Sequence, residues 1–109
     1  MLDEQEFKRK ADHALTLLSR ELIAASDEYG FEVDFNAGAL GVEFENPPAK
    51  FVISPNAPVR QIWVSANSKS YKLDWDVVEN SFVHAESGDN LKDLVEKAVG
   101  KHLGEEINL

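Results

Sequence analysis

The apolar residues of this 109-residue chain change period twice, and that double switch constrains the fold more than any other feature. Up to Tyr29 they recur every three or four residues, from Phe31 they alternate, and from Leu91 the helical spacing returns. A helix buries positions 3.6 apart and a strand buries every second one, so the chain reads as helix, strands, helix. The first stripe comprises Phe7, Ala11, Ala14, Leu15, Leu18, Leu22, Ala25 and Tyr29, with Leu17 and Ile23 off it. Asp3 followed by Glu6 predicts an N-cap with an acidic residue at N3, and Gly30 predicts the stop.

Beyond Gly30, Phe31, Val33 and Phe35 alternate with Glu32 and Asp34; after a turn at Asn36-Ala37-Gly38, Leu40, Val42 and Phe44 alternate with Gly41, Glu43 and Glu45. This predicts a hairpin with one buried face. A break at Asn46-Pro47-Pro48 precedes further strands near Lys50 to Ser54, Arg60 to Ala66, Ser70 to Trp75 and Ser81 to Ala85. The second helix carries Leu91, Leu94, Val95, Ala98, Val99 and Leu103 on one side, with Asp89 or Ser87 as its expected N-cap and Gly104 to Leu109 as a tail. The expected architecture is α+β. It is a two-layer sandwich in which the N- and C-terminal helices pack on one face of a five- or six-stranded antiparallel sheet, the other face open, with residues 1–109 as a single domain.

Composition then narrows the function. With 43% hydrophobic residues the chain can fill a core, and with no Cys it cannot make thiolate metal sites, hold an iron-sulfur cluster on its own thiolates or use a Cys nucleophile. Apolar runs are too short for a membrane span, and the acidic opening Met1-Leu2-Asp3-Glu4 lacks the basic region of a signal peptide. A complete, mature, soluble chain is expected. Twenty Asp and Glu against eleven Lys and Arg give a net charge of −9, which argues against nucleic acid and leaves cations and basic proteins as partners.

That charge is unevenly placed. Between Arg20 and Lys50 stand seven acids, Glu21, Asp27, Glu28, Glu32, Asp34, Glu43 and Glu45, and no Lys or Arg; between Glu45 and Asp74 stand four bases and no acid. An acidic flank formed by the end of the first helix and the first two strands is expected. Alternation puts Glu32, Asp34, Glu43 and Glu45 on one face of the hairpin. Spacing alone reads them first as the solvated side of a half-buried hairpin, with weak, multi-site capture of a hard cation as the alternative.

In Gln61-Ile62-Trp63-Val64-Ser65, burying Ile62 and Val64 stands Trp63 on the open face, where indole is a common interaction anchor. Tyr71, Leu73 and Trp75 share the core face by the same rule. His13, His84 and His102 lack metal-binding spacing and are expected at the surface or rim; the chain also lacks a glycine-rich phosphate loop and a nucleophile elbow.

The segments Phe31 to Leu40, Phe51-Val52-Ile53-Ser54-Pro55-Asn56-Ala57-Pro58, Gln61 to Ser65 and Tyr71-Lys72-Leu73-Asp74-Trp75 together resemble the frataxin family, over about Phe7 to Leu103. The resemblance implies two helices on one face of an antiparallel sheet. It also implies an iron-binding accessory protein of iron-sulfur cluster assembly, which modulates a complex of cysteine desulfurase and scaffold protein while the cluster is built on a partner. Carried over residue by residue, Glu4, Asp12, Glu21 and Glu32 fall at or beside the family's acidic ridge, with Asp27 and Glu28 at the helix-to-strand junction. Asn56, Pro58, Gln61 and Trp63 match its partner-binding sheet surface.

Two departures stand out. Lys8, Arg9, Lys10, Ser19, Arg20, Ile23 and Ala24 occupy helix positions where family ridges carry acids, which displaces iron capture (Fe2+ or Fe3+, carboxylate-ligated) toward Asp27, Glu28, Glu32, Asp34, Glu43 and Glu45. Ser54 stands where many members have Asn. Alternatives are a metal-independent acidic adaptor for a basic protein and, by resemblance only, a ferroxidase or iron-storage protein. The chain is expected as a monomer able to oligomerise with iron, in the bacterial cytoplasm or, as a mature organellar form, the mitochondrial matrix.

Overall fold

A computed structural model describes residues 2–36, 38–45 and 48–109. Helix α1 spans Glu4–Tyr29, six strands follow as β1 Phe31–Asn36, β2 Ala39–Glu45, β3 Pro48–Asn56, β4 Gln61–Ala66, β5 Lys69–Asp76 and β6 Ser81–His84, and α2 spans Leu91–Leu103. The strands form one antiparallel meander in the order β1-β2-β3-β4-β5-β6, so β1 and β6 are its edges. Two helices on one face of a six-stranded open sheet make an α+β sandwich, as the double change of period predicts. No helix among the described residues is long and apolar enough to cross a membrane.

The helix ends follow from local chemistry. Asp3 Oδ1 accepts the Glu6 backbone N–H at 2.8 Å, and Gly30 adopts φ 75°, where its missing Cβ removes the penalty and its N–H reaches the Ser26 carbonyl. Phe7, Leu15 and Leu22 of α1 meet Leu40, Ile53, Ile62 and Leu73 of the sheet and Val95 and Val99 of α2 in one buried cluster. Each such side chain contributes about 1.5–3 kcal/mol by leaving water. Phe7 and Phe82 pack edge to face at 5.8 Å, joining the start of α1 to the far edge strand. Leu73 is fully buried, while Tyr71 and Trp75 pack on the same layer half-buried. His102 sits at the rim, its ring 4.4 Å from that of Phe44.

Several boundaries differ from expectation. The N-cap of α2 is Asn90, whose Oδ1 accepts the Asp93 N–H at 2.8 Å. Ser87 and Asp89 are engaged elsewhere: Ser87 Oγ bonds His84 Nδ1 at 2.8 Å, and Asp89 accepts from Lys97 Nζ at 2.8 Å. Arg60 belongs to no strand; it closes a 3-10 turn at Ala57–Val59 with φ 56°, and its Nη1 donates to the Ala57 carbonyl. Ala85 likewise falls beyond the end of β6. The turns expected at Asn36 to Gly38 and Asn46 to Pro48 center on Ala37, Asn46 and Pro47, which lie outside the described residues.

The segment after α2 is part of the fold. Ile107 is 3% exposed, the Leu109 N–H donates to Glu96 Oε2, and the Gly100 carbonyl accepts from both Gly104 and Glu105. Gly100 is required by this close approach, since a Cβ there would lie 2.8 Å from the Glu105 carbonyl oxygen.

Candidate functional site

Two surfaces hold the residues singled out by sequence. On β4, Ile62 and Val64 point into the core and Trp63 stands 38% exposed on the open face, as the alternation predicts. Register places Ser54 and Lys72 on either side of Trp63, and Asn56 and Asp74 on either side of Gln61. Gln61 Nε2 donates to Asp74 Oδ1 at 3.1 Å, and Trp63 Nε1 donates to Gln61 Oε1 at 2.9 Å. Lys72 Nζ lies 5.1 Å from the indole centroid, a cation–π contact worth about 0.5–1 kcal/mol at an exposed site. This relay from Asp74 through Gln61 fixes the indole before any partner arrives, which lowers the entropy cost of binding.

Pro58 projects from the 3-10 turn beside this row, next to exposed Val59, and Arg60 pins the turn through the carbonyls of Ala57 and Pro58. Asn56 makes no side-chain hydrogen bond to that turn. Lys72 and Asp74 are the supports that sequence reading passed over. The signal was present: with Tyr71, Leu73 and Trp75 on the core face, alternation turns Lys72 and Asp74 to the open face, and the Asn67-Ser68 loop sets their register against β4.

The carboxylates are spread along α1 and over the β1–β2 end of the same open sheet face. Glu4 pairs with Lys8 at 3.1 Å and Glu21 with Lys92 at 3.4 Å, the second pair tying α1 to α2; Asp12 is exposed between them. Helical rise puts Glu4 and Asp27 roughly 35 Å apart, so the nine acids do not share one site. Asp27 and Glu28 lie in the last turn of α1, which has no basic residue. Carboxylates there face the negative end of the helix dipole. The Glu28 carboxylate, hydrogen-bonded to the neighboring phenol, pushes the Tyr29 pKa up.

Glu32 stands directly opposite Glu43, Asp34 opposite Gly41, and Glu45 opposite Pro48. Glu43 is also opposite Lys50, whose Nζ lies 3.5 Å from its carboxylate. All six carboxylates from Asp27 to Glu45 are exposed. Among the described residues no three His, Asp or Glu side chains are gathered closely enough to hold a metal ion. The flank is therefore a dispersed field of carboxylates rather than a closed cage, the arrangement suited to weak capture of a hard cation or to a basic protein surface.

Similarity to known proteins gives the family of the chain. A solved frataxin from Psychromonas ingrahamii, studied for stability modulation within the CyaY protein family, shares this fold with a TM-score of 0.76 at 23% identity, over 98% of this chain and 97% of its own. A protein of Azotobacter vinelandii named iron-sulfur cluster assembly protein CyaY is 32% identical over 76 residues, which cover 70% of this chain and 68% of that protein. The family model of the frataxin-like domain matches residues 1–105. Sequence match along nearly the whole chain and agreement of the backbone lead to the same place: this protein belongs to the frataxin-like domain family.

Proposed function

We propose that this protein is an accessory factor of iron-sulfur cluster assembly that docks on a cysteine desulfurase–scaffold complex through its open sheet face and carries iron weakly on its acidic flank. The observation that carries the docking reading is Trp63, held out on the open face by Gln61 and Asp74 with Lys72 over its ring. Family membership and the name of the Azotobacter relative, an iron-sulfur cluster assembly protein, support a partner in cluster assembly. Support for iron comes from electrostatics: Asp27 and Glu28 at the negative end of α1, and Glu32 opposed to Glu43, are arrangements that a bound cation would relieve.

A pull-down with cysteine desulfurase and scaffold, with and without ferrous iron, tests the reading; no association under either condition overturns it. Ferrous or ferric titration followed by NMR should broaden Asp27, Glu28, Glu32, Asp34, Glu43 and Glu45, and broadening elsewhere would remove the flank as the iron site.

A second reading is a metal-independent adaptor whose acids dock on a basic protein. Six exposed carboxylates dispersed from Asp27 to Glu45 suit such a surface as well as they suit weak cation capture. Glu32→Gln with Asp34→Asn separates the two. Loss of metal response with partner binding kept supports iron carriage, and a large loss of metal-free binding supports the adaptor.

A further inference from the structure

On the helix side of the sheet, away from Trp63, a groove of about 620 Å³ runs between α1, the start of α2 and the β5–β6 hairpin. Its floor is apolar, made by Leu18, Phe82 and Leu91, with Leu17 and Trp75 as walls. Arg9, Lys10 and His13 line one side, and the Glu21–Lys92 pair bridges α1 to α2 as a further part of the lining. Arg9, Lys10 and Lys92 against Glu21 leave the groove two positive charges in a chain of net −9. Size in the range of small-molecule sites, an apolar lining and a few convergent polar groups, here net positive, are the features of a ligand pocket. Lys10 Nζ lies 4.5 Å from the Trp75 centroid and Phe82 meets the same indole edge to face at 5.1 Å, so the charged side is built onto the apolar wall.

We propose that this groove binds a small organic anion with an apolar body, of the aromatic or aliphatic carboxylate or sulfonate class. Arg9, Lys10 and His13 hold the charged end, and Leu17, Trp75 and Phe82 cover the body. Arg9 and Lys10 are among the α1 positions that depart from the acidic ridge suggested by the family resemblance, and the groove gives that departure a use.

The test compares 8-anilinonaphthalene-1-sulfonate with its uncharged parent, N-phenyl-1-naphthylamine, by amide NMR on the full chain. The sulfonate should give saturable shifts at His13, Leu17, Asn80, Leu91 and the Trp75 indole, and the parent should bind about tenfold more weakly. Arg9→Gln with Lys10→Gln should cost the sulfonate about tenfold and leave the parent unchanged. Should that double variant fail to fold, Leu17→Glu decides, because Leu17 is 42% exposed and a carboxylate there repels the anion without opening the core. Absence of saturable shifts, shifts at Trp63 instead, equal binding of the two probes, or affinity indifferent to the variants would each overturn the proposal.

Discussion

Glu32 and Glu43 are directly opposed in the β1–β2 register, two carboxylates side by side on the open face, and only Glu43 has Lys50 within reach. Like charges at opposed positions destabilize a strand pair. Glu32→Gln removes the repulsion and leaves the Glu43–Lys50 pair intact. Urea unfolding at low salt should show a gain of about 0.2–1 kcal/mol, while ferrous affinity falls. A loss of stability on this substitution would mean that the pair is not under electrostatic tension.

Trp63→Ala should weaken binding to the desulfurase complex by about 2 kcal/mol or more if the indole anchors the interface. Folding should be almost unaffected, because the ring lies outside the core. Asp74→Ala, which frees Gln61 and thereby the indole, should cost less, on the order of 0.5–1.5 kcal/mol. Calorimetric titration reads both, and unchanged affinity for Trp63→Ala would take this residue out of the contact.

Gly100→Ala tests the seating of the C-terminal segment. Helix propensity alone predicts a gain of about 1 kcal/mol in the interior of α2. The new Cβ would meet the Glu105 carbonyl oxygen at 2.8 Å, in the segment that carries buried Ile107. Thermal unfolding should therefore show a net loss, and a gain would indicate that the segment is not held against the helix.

The Asp89–Lys97 pair sets a pH dependence. Its hydrogen bond to Lys97 is the main cause that lowers the Asp89 pKa below its ordinary value, and the same bond raises that of Lys97. The Asp89 contribution is present above the unfolded carboxylate value of about 3.9 and is lost as pH falls through the lower folded value. The Lys97 contribution is present below about 10.4 and is lost as pH rises through the higher folded value. Lys97→Met should lower stability between these limits and flatten both flanks of the stability–pH curve. An unchanged acid flank would mean that Asp89 draws its shift from other neighbors.

Both ends of α1 were legible because Asp3 and Gly30 act within a few residues of themselves, and the outward placement of Trp63 followed from the burial of Ile62 and Val64 on either side. What escaped is tertiary. Ser87, Asp89 and Asn90 are equivalent cap candidates by residue type, until His84 and Lys97 take the first two. Arg60 has an ordinary strand neighborhood, yet its side chain closes a 3-10 turn. The residues from Gly104 onward look like a polar tail with two apolar residues, and only the packing near α2 shows why Ile107 is apolar. The groove beside Trp75 could not be read at all, since it joins α1 to the β5–β6 hairpin and α2, from which four strands separate it in sequence.

The acidic flank has one more consequence, which arises from its place at the margin of the sheet. β1 is an edge strand with unpaired backbone groups on its free side, and its outward residues are Glu32 and Asp34. Charged residues on an edge keep it from adding strands of a second molecule. A cation neutralizing these carboxylates would satisfy the flank and remove that guard together, leaving half-exposed Phe35 on an edge open to self-assembly.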